Sequence, residues 1–208
     1  MTFSGFSPAA LEFYDHLEVE NTREFWEAHR EVYESAVRQP MQELVDDLAA
    51  EFGTAKLFRP YRDLRFSRDK TPFKTHQGGF VATGEATGYY VELSGDGVLV
   101  AAGAYHLAGE RLARIRRSID VEHSGVALQK TVKSLARKGL LLGGDMLKTC
   151  PRGFSADHPR IDLLRHRTLT VSRNYGTAEL VHSPELVAAV RDDWRAAAPL
   201  LAWLERHG

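Results

Sequence analysis

The chain carries one cysteine, Cys150, in 208 residues. No internal disulfide can form, and a reducing, cytoplasmic location is the expectation. There is no run of about 18 apolar residues, so no transmembrane helix and no membrane partner is expected. Residues 1–18 lack a basic start and a long apolar stretch, and they do not read as a signal peptide. Catalytic signatures are missing too: no GxxxxGK[ST], GxGxxG, HExxH or CxxC occurs. The nine histidines are scattered without metal-ligand spacing, so neither a metal nor another cofactor is expected. A net charge of −1 argues against a general nucleic-acid coat protein.

What is present is the composition of a globular protein able to bury a core, 43% hydrophobic and 26% charged. Length favours one domain over residues 1–208. The charge is segregated. Residues 1–52 hold twelve acids and three basic residues, and residues 59–138 hold fourteen basic residues and eight acids. Two readings stay open: a basic functional face, or an acidic helical part (1–55) packed on a basic sheet-and-helix part and balancing it.

Ser7-Pro8 opens a helix to about Leu17, with Ser as N-cap and Pro at the first helical position. Asn21 is a second N-cap candidate, with Glu24 three residues on. Stripe positions at Phe25, Trp26, His29, Val32, Tyr33 and Val37 follow at helical spacing, and Pro40 interrupts before Met41, Leu44, Val45, Leu48 and Phe52 continue the stripe. Residues 62–67 read as a strand, with Arg62, Leu64 and Phe66 on one face and Asp63, Arg65 and Ser67 on the other. Leu64 and Phe66 would be anchored in the core. Tyr89 to Leu93 is a half-buried strand, Gly95-Asp96-Gly97 a hairpin turn, and Val98 to Tyr105 a central strand. Helices are expected over Gly109–Ile119 and Gly125–Lys138, then a strand around Leu169 and Val171. A last helix runs from Pro184 and is expected to kink or break at Pro199. The fold class is α+β: a mostly antiparallel sheet, a meander over about 62–105, covered by N-terminal, central and C-terminal helices.

One stretch is compositionally unusual. Residues 59–76 place six cations among two acids, with Tyr61, Phe66 and Phe73 interleaved. Guanidinium forks suit bidentate contact with phosphate or carboxylate, and the aromatics suit stacking on a planar group. The ligand-binding candidates are Arg62, Asp63, Arg65, Ser67, Arg68, Asp69, Lys70, Lys74 and His76. The amides of Gly78 and Gly79 are further anion donors by residue type. A packed version of the cluster must instead recruit acids from elsewhere, Glu92 and Glu85 among them. Outside the stretch, Cys150 has no neighbouring His or Asn pattern to make it a nucleophile, and a buried thiol is the reading. Asp157 and His158 are a candidate acid/base pair, or a helix start beside Pro159.

The segment YRDLRFSRDKTPFKTH resembles the core signature of a widespread bacterial and fungal domain of unknown function, R-x-Y-R-D-x-R-F-S-x-D-K-x-P-[YF]-K-T. Asn21 to Trp26, Gly88-Tyr89-Tyr90, Pro151 to Phe154 and Asp157-His158-Pro159 are similar to further segments of that family, so the resemblance spans nearly the whole chain. It implies an uncharacterised α/β-type domain and brings no activity, cofactor or catalytic residue. Pro60 stands where an aliphatic is common and Phe73 where Tyr is common, so no mechanism needing a phenol at 73 is implied.

Two functions follow from the basic stretch. One is a pocket for an anionic, phosphate- or carboxylate-bearing small ligand, with or without catalysis. The other is a non-enzymatic module that docks an acidic protein or nucleic acid, whose affinity would fall steeply with salt. A purely structural ion-pair network is the third outcome. Oligomeric state has no signal in the sequence.

Overall fold

The computed structural model describes residues 2–65 and 69–208. Its strands are β1 (Lys56–Leu57), β2 (His76–Gly84), β3 (Thr87–Ser94), β4 (Gly97–Ala104), β5 (Leu141–Gly143) and β6 (Leu169–Gly176). They form one open antiparallel sheet in the order β1-β2-β3-β4-β6-β5, and the class is α+β as expected. The chain makes two compact units: Met1–Val81, Tyr90–Val100 and Asn174–Arg191 in the first, and Ala82–Tyr89, Ala101–Arg173 and Asp192–Gly208 in the second.

The first unit is built on α1 (Pro8–Val19), α2 (Arg23–Val32) and α3 (Gln39–Phe52). Helix α2 is capped by Thr22, whose hydroxyl accepts from the Phe25 amide at 3.1 Å. The expected cap, Asn21, is displaced by one residue because its side chain is used elsewhere. Between α2 and α3 the chain makes a π-helical turn over Tyr33–Arg38. The cause is Pro40, which has no amide to donate and whose ring collides with a carbonyl four residues back. The helix widens by one residue instead of breaking, and the Gln39 amide reaches back to Glu34. The buried stripe runs on through Val37, Met41, Leu44, Val45 and Leu48. Phe13 gathers Tyr14, Phe25, Trp26 and Tyr33 around it, with ring centroids 5.2–6.0 Å apart.

The hairpin read at Gly95-Asp96-Gly97 is present, with β3 ending at Ser94 and β4 starting at Gly97. Gly97 is required there. Its φ is +99°, and a Cβ would lie 1.7 Å from the Gly176 carbonyl oxygen on β6. On β3, Tyr89, Val91 and Leu93 are buried as expected, leaving Tyr90 and Glu92 on the opposite face, half-buried.

Residues 62–65 are not a strand, and the ladder of β2 begins only at His76. Near this segment the described residues make an isolated antiparallel bridge, Tyr61 to Phe73. The backbone there is claimed locally. The Asp63 carboxylate accepts from the Arg65 amide, and the Lys70 ammonium donates to the Leu64 carbonyl at 2.9 Å. Short polar side chains that bond the backbone two residues on compete with a ladder, and here they win. Leu64 is half-buried, not a core anchor. Phe66 and Ser67, which complete the expected strand, lie outside the described residues.

The second unit contains α4 (Gly109–Asp120), α5 (Glu122–Arg137), α6 (Ile161–Leu164) and most of α7 (Leu186–His207). Ile115, Ile119, Leu128 and Leu135 are buried, and Tyr89 stacks on Trp194 with centroids 5.2 Å apart. Helix α7 runs unbroken through Pro199, against expectation. A proline inside a helix costs about 3 kcal/mol. Trp194, Ala197, Leu200, Leu201 and Leu204 are buried on both sides of it, and that burial offsets the loss.

Candidate functional site

The basic stretch forms a loop closed at its neck. The Arg62 amide donates to the Pro72 carbonyl at 2.9 Å and the Lys74 amide to the Pro60 carbonyl at 2.8 Å, on either side of the Tyr61–Phe73 bridge. Asn21 holds the neck from outside: its side-chain amide donates to the Phe73 carbonyl, and its side-chain oxygen accepts from the Phe73 amide, each at 3.0 Å. Trp26 stacks on the Phe73 ring at 4.3 Å with the planes 8° apart. Beneath, the Tyr33 hydroxyl donates to the Gln77 side-chain oxygen at 2.6 Å, and the Gln77 amide donates to the carbonyls of Phe58 and Gly78 at 2.9 and 3.0 Å. Burial pushes the Tyr33 hydroxyl up to about 12. Helices and loop are therefore joined through one buried polar network and one aromatic stack.

Within the loop the charges pair among themselves. Arg65 meets Asp63 through both Nε and Nη2, at 3.0 and 2.6 Å to separate oxygens. Arg62 pairs with Asp69. The Arg65 guanidinium holds Asp63 below the ordinary carboxylate range, and the amide and hydroxyl of Thr71, followed by Arg62, do the same for Asp69. These exposed pairs shape the loop and contribute little stability. The acidic N-terminal helices do not supply the counter-charges for Arg62 and Arg65; Asp63 and Asp69 do. Lys70 is committed to the Leu64 carbonyl. Ser67 and Arg68 lie outside the described residues.

Two cations of the stretch differ. Among the described residues neither Arg59 nor Lys74 has a carboxylate at ion-pair distance. Lys74 extends over the Phe58 ring, its ammonium 5.4 Å from the centroid, and burial, then Arg59, lowers its pKa. His76 follows at the start of β2, half-buried, with Nε2 3.8 Å from a Glu92 carboxylate oxygen. Burial holds the imidazole below its ordinary value; Glu92 pulls the other way, and Lys74 and Arg62 reinforce the depression. The Tyr90 hydroxyl donates to the same Glu92 oxygen, and its pKa is raised by burial and by that bond. The Tyr90 ring lies across β2 at Gly78, where an added Cβ would sit 2.6 Å from the phenol oxygen. One sheet face thus collects Lys74, His76, Tyr90 and Glu92, with Phe58 at its edge, 6.2 Å from the Tyr90 ring.

Of the residues singled out in sequence, Lys74 and His76 belong to this face, and Arg62 stands near it. Asp63, Arg65, Asp69 and Lys70 build the loop. Gly78 and Gly79 are buried strand residues, not an exposed anion nest. The additions are Tyr90 and Glu92, and period-two alternation along β3 already set them opposite the core residues. Elsewhere, His158 pairs with Asp120 at 3.1 Å and not with Asp157. Its other ring nitrogen accepts from the Arg160 amide at 3.0 Å. Arg160, buried, donates to the Ile119 and Asp120 carbonyls and to Glu122, so this segment latches the α4–α5 junction. The Cys150 thiol is half-buried and not buried as expected, and it donates to the Phe154 carbonyl. Among the described residues there is no cluster of three side chains able to hold a metal, and no helix is long and apolar enough to cross a membrane.

An α+β protein with a helix-clamped basic loop beside a polar sheet face is the class these features define. Residues 9–203 match the family described as conserved hypothetical protein (DUF2461), and the chain belongs to that family, whose function is unknown. No curated protein matches the chain.

Proposed function

We propose that the His76 face binds a small phosphate- or carboxylate-bearing anion in the cytoplasm, with Arg59 and Lys74 as its cationic grip and His76 as a neutral hydrogen-bonding group. The observation that carries this reading is the contrast between the cations. Arg62 and Arg65 have acids of their own loop, whereas Arg59 and Lys74, close enough for Arg59 to lower the Lys74 pKa, have no carboxylate partner among the described residues. An anion between them would offset that repulsion and raise the Lys74 pKa against the effect of burial. Phe58 and Tyr90 supply flat apolar walls, and Glu92 fixes the phenol and faces the imidazole. If a proton is moved, His76 is the group placed to move it, because its depressed pKa keeps it neutral at neutral pH.

Calorimetric titration with inorganic phosphate and with citrate tests the reading. Lys74→Met should abolish binding of whichever anion the wild type takes, with little change in melting temperature, since the ammonium makes no ion pair. Unchanged affinity in that variant, or no binding of either anion by the wild type, rejects the site. A duplex oligonucleotide bound with a steep salt dependence would favour docking of nucleic acid instead.

A further inference from the structure

The second unit carries a separate concentration of positive charge, away from the signature stretch in sequence. The later turns of α4 and the end of α7 bound an open cleft of about 350 Å³, lined by Arg114, Arg117, Ser118, Val121, Arg206, His207 and Gly208. Three guanidinium groups and an imidazole share this small space. Two of the nearby acids are engaged elsewhere. Asp120 is bonded to His158 and Glu122 to Arg160, at 3.1 and 2.9 Å. Glu110 comes only within 3.9 Å of Arg114, and both side chains are well exposed. Among the described residues Arg117 and Arg206 have no carboxylate at ion-pair distance.

The imidazole in the cleft lining is held against an aromatic ring. The His207 ring packs on Trp203 with centroids 4.5 Å apart, and the Trp203 indole N–H donates to the Ser124 carbonyl at 3.0 Å. Burial, with Arg206 and His123 behind it, holds His207 below its ordinary pKa. Val121, on the wall, is the N-cap of α5 and gives that helix no side-chain cap, so the positive end of the helix dipole adds to the field. Three guanidinium groups lining one cleft, with Asp120 and Glu122 bonded elsewhere, suit a multiply charged anion. Guanidinium forks match phosphate oxygens bidentately, and two or three forks match two linked phosphates better than one.

We infer that this cleft is a second, independent anion site, and that its ligand carries a diphosphate group, as the free anion or as part of a nucleotide. The test follows the imidazole resonances of the histidines by NMR while pyrophosphate is added at low salt to the full chain. The His207 resonances should move in the wild type and equally in Lys74→Met, and should stay still in the double variant Arg117→Gln/Arg206→Gln. That variant should melt no lower than the wild type without ligand, because it removes repulsion and no ion pair. Arg117→Lys/Arg206→Lys keeps the charge and loses the forks, and should bind at least tenfold more weakly. Adenosine diphosphate run in parallel separates a nucleotide from the free anion. The inference is overturned if His207 does not respond to pyrophosphate, if the response survives in the double Gln variant, or if sulfate matches pyrophosphate. A clear drop in the unliganded melting temperature of the double variant also overturns it, since the guanidinium groups would then be held by the chain itself, for instance by the carboxylate of Gly208. Failure here leaves the Lys74 titration untouched, and the two sites are judged separately.

Discussion

Replacing Asn21 probes how the basic loop is held. Its side chain makes two 3.0 Å hydrogen bonds to the backbone of one residue, Phe73, as a neighbouring strand would. Each such bond contributes about 1 kcal/mol net, and a part-buried donor or acceptor left without a partner costs about 1–3 kcal/mol. Asn21→Ala removes both at once, so a loss of about 2 kcal/mol is expected. In a chain of this size each kcal/mol moves the melting temperature by about 2–4 °C, giving a fall of about 4–8 °C. Asn21→Asp sharpens the test because it preserves shape. The carboxylate still accepts from the Phe73 amide, but it turns a second oxygen, with no proton to share, toward the Phe73 carbonyl. The Asp variant should therefore be no more stable than the Ala variant at neutral pH, although it is the closer isostere. Urea titration followed by tryptophan fluorescence reads the difference as a change in midpoint at constant slope. If both variants unfold within about 0.5 kcal/mol of the wild type, the clamp does not hold the loop and this account of the neck is wrong.

Three further outcomes are expected. Tyr33→Phe leaves the buried Gln77 side-chain oxygen without its donor and should cost about 1–3 kcal/mol in the same urea experiment; a neutral result would mean that Gln77 finds another partner. Gly78→Ala drives a methyl group to within 2.6 Å of the Tyr90 phenol, so the ring must leave β2 and release Glu92. Anion affinity at the Lys74 face should drop about tenfold while stability falls by about 1–3 kcal/mol, and full affinity would remove Tyr90 from the site. The third concerns pH. His76 has a folded pKa below its ordinary 6.5, so the unfolded chain binds the extra proton first as pH falls. Stability is thus fully present above about pH 6.5 and declines as pH falls through the folded value. His76→Gln should flatten part of that decline, leaving the share owed to His166 and His207, which burial also depresses. A decline of unchanged steepness in the variant would show that His76 is not buried in the neutral form.

Much of the scaffold was legible because it depends on patterns local in sequence. The 3.6-residue stripe from Phe25 to Leu48, the alternation of Tyr89, Val91 and Leu93, and the Gly95-Asp96-Gly97 turn each specify burial or backbone geometry within a few residues, and all three survive in the fold, while Phe52 at the end of the stripe is only half-buried. Local rules failed where two of them met. At 62–65 the alternation of Arg62 and Leu64 with their neighbours suggested a strand, but Asp63 and Asp69 satisfy backbone amides themselves and close a loop. At Pro40 and Pro199 the helix-breaking rule was outweighed by apolar stripes whose burial rewards continuity.

The sequence by itself determined that a surplus of cations lies at residues 59–76 and that Tyr90 and Glu92 share a face of their strand, because charge and period are properties of the chain. Which cations remain unneutralised was decided only by tertiary structure. Pairing depends on which acid folding carries within about 4 Å, and the neck geometry turns Arg62 and Arg65 toward Asp69 and Asp63 while setting Lys74 over Phe58. The same holds for His158, separated from its partner Asp120 by 38 positions in the chain. Distances of that kind are set by the packing of helices and loops, and no spacing along the sequence encodes them.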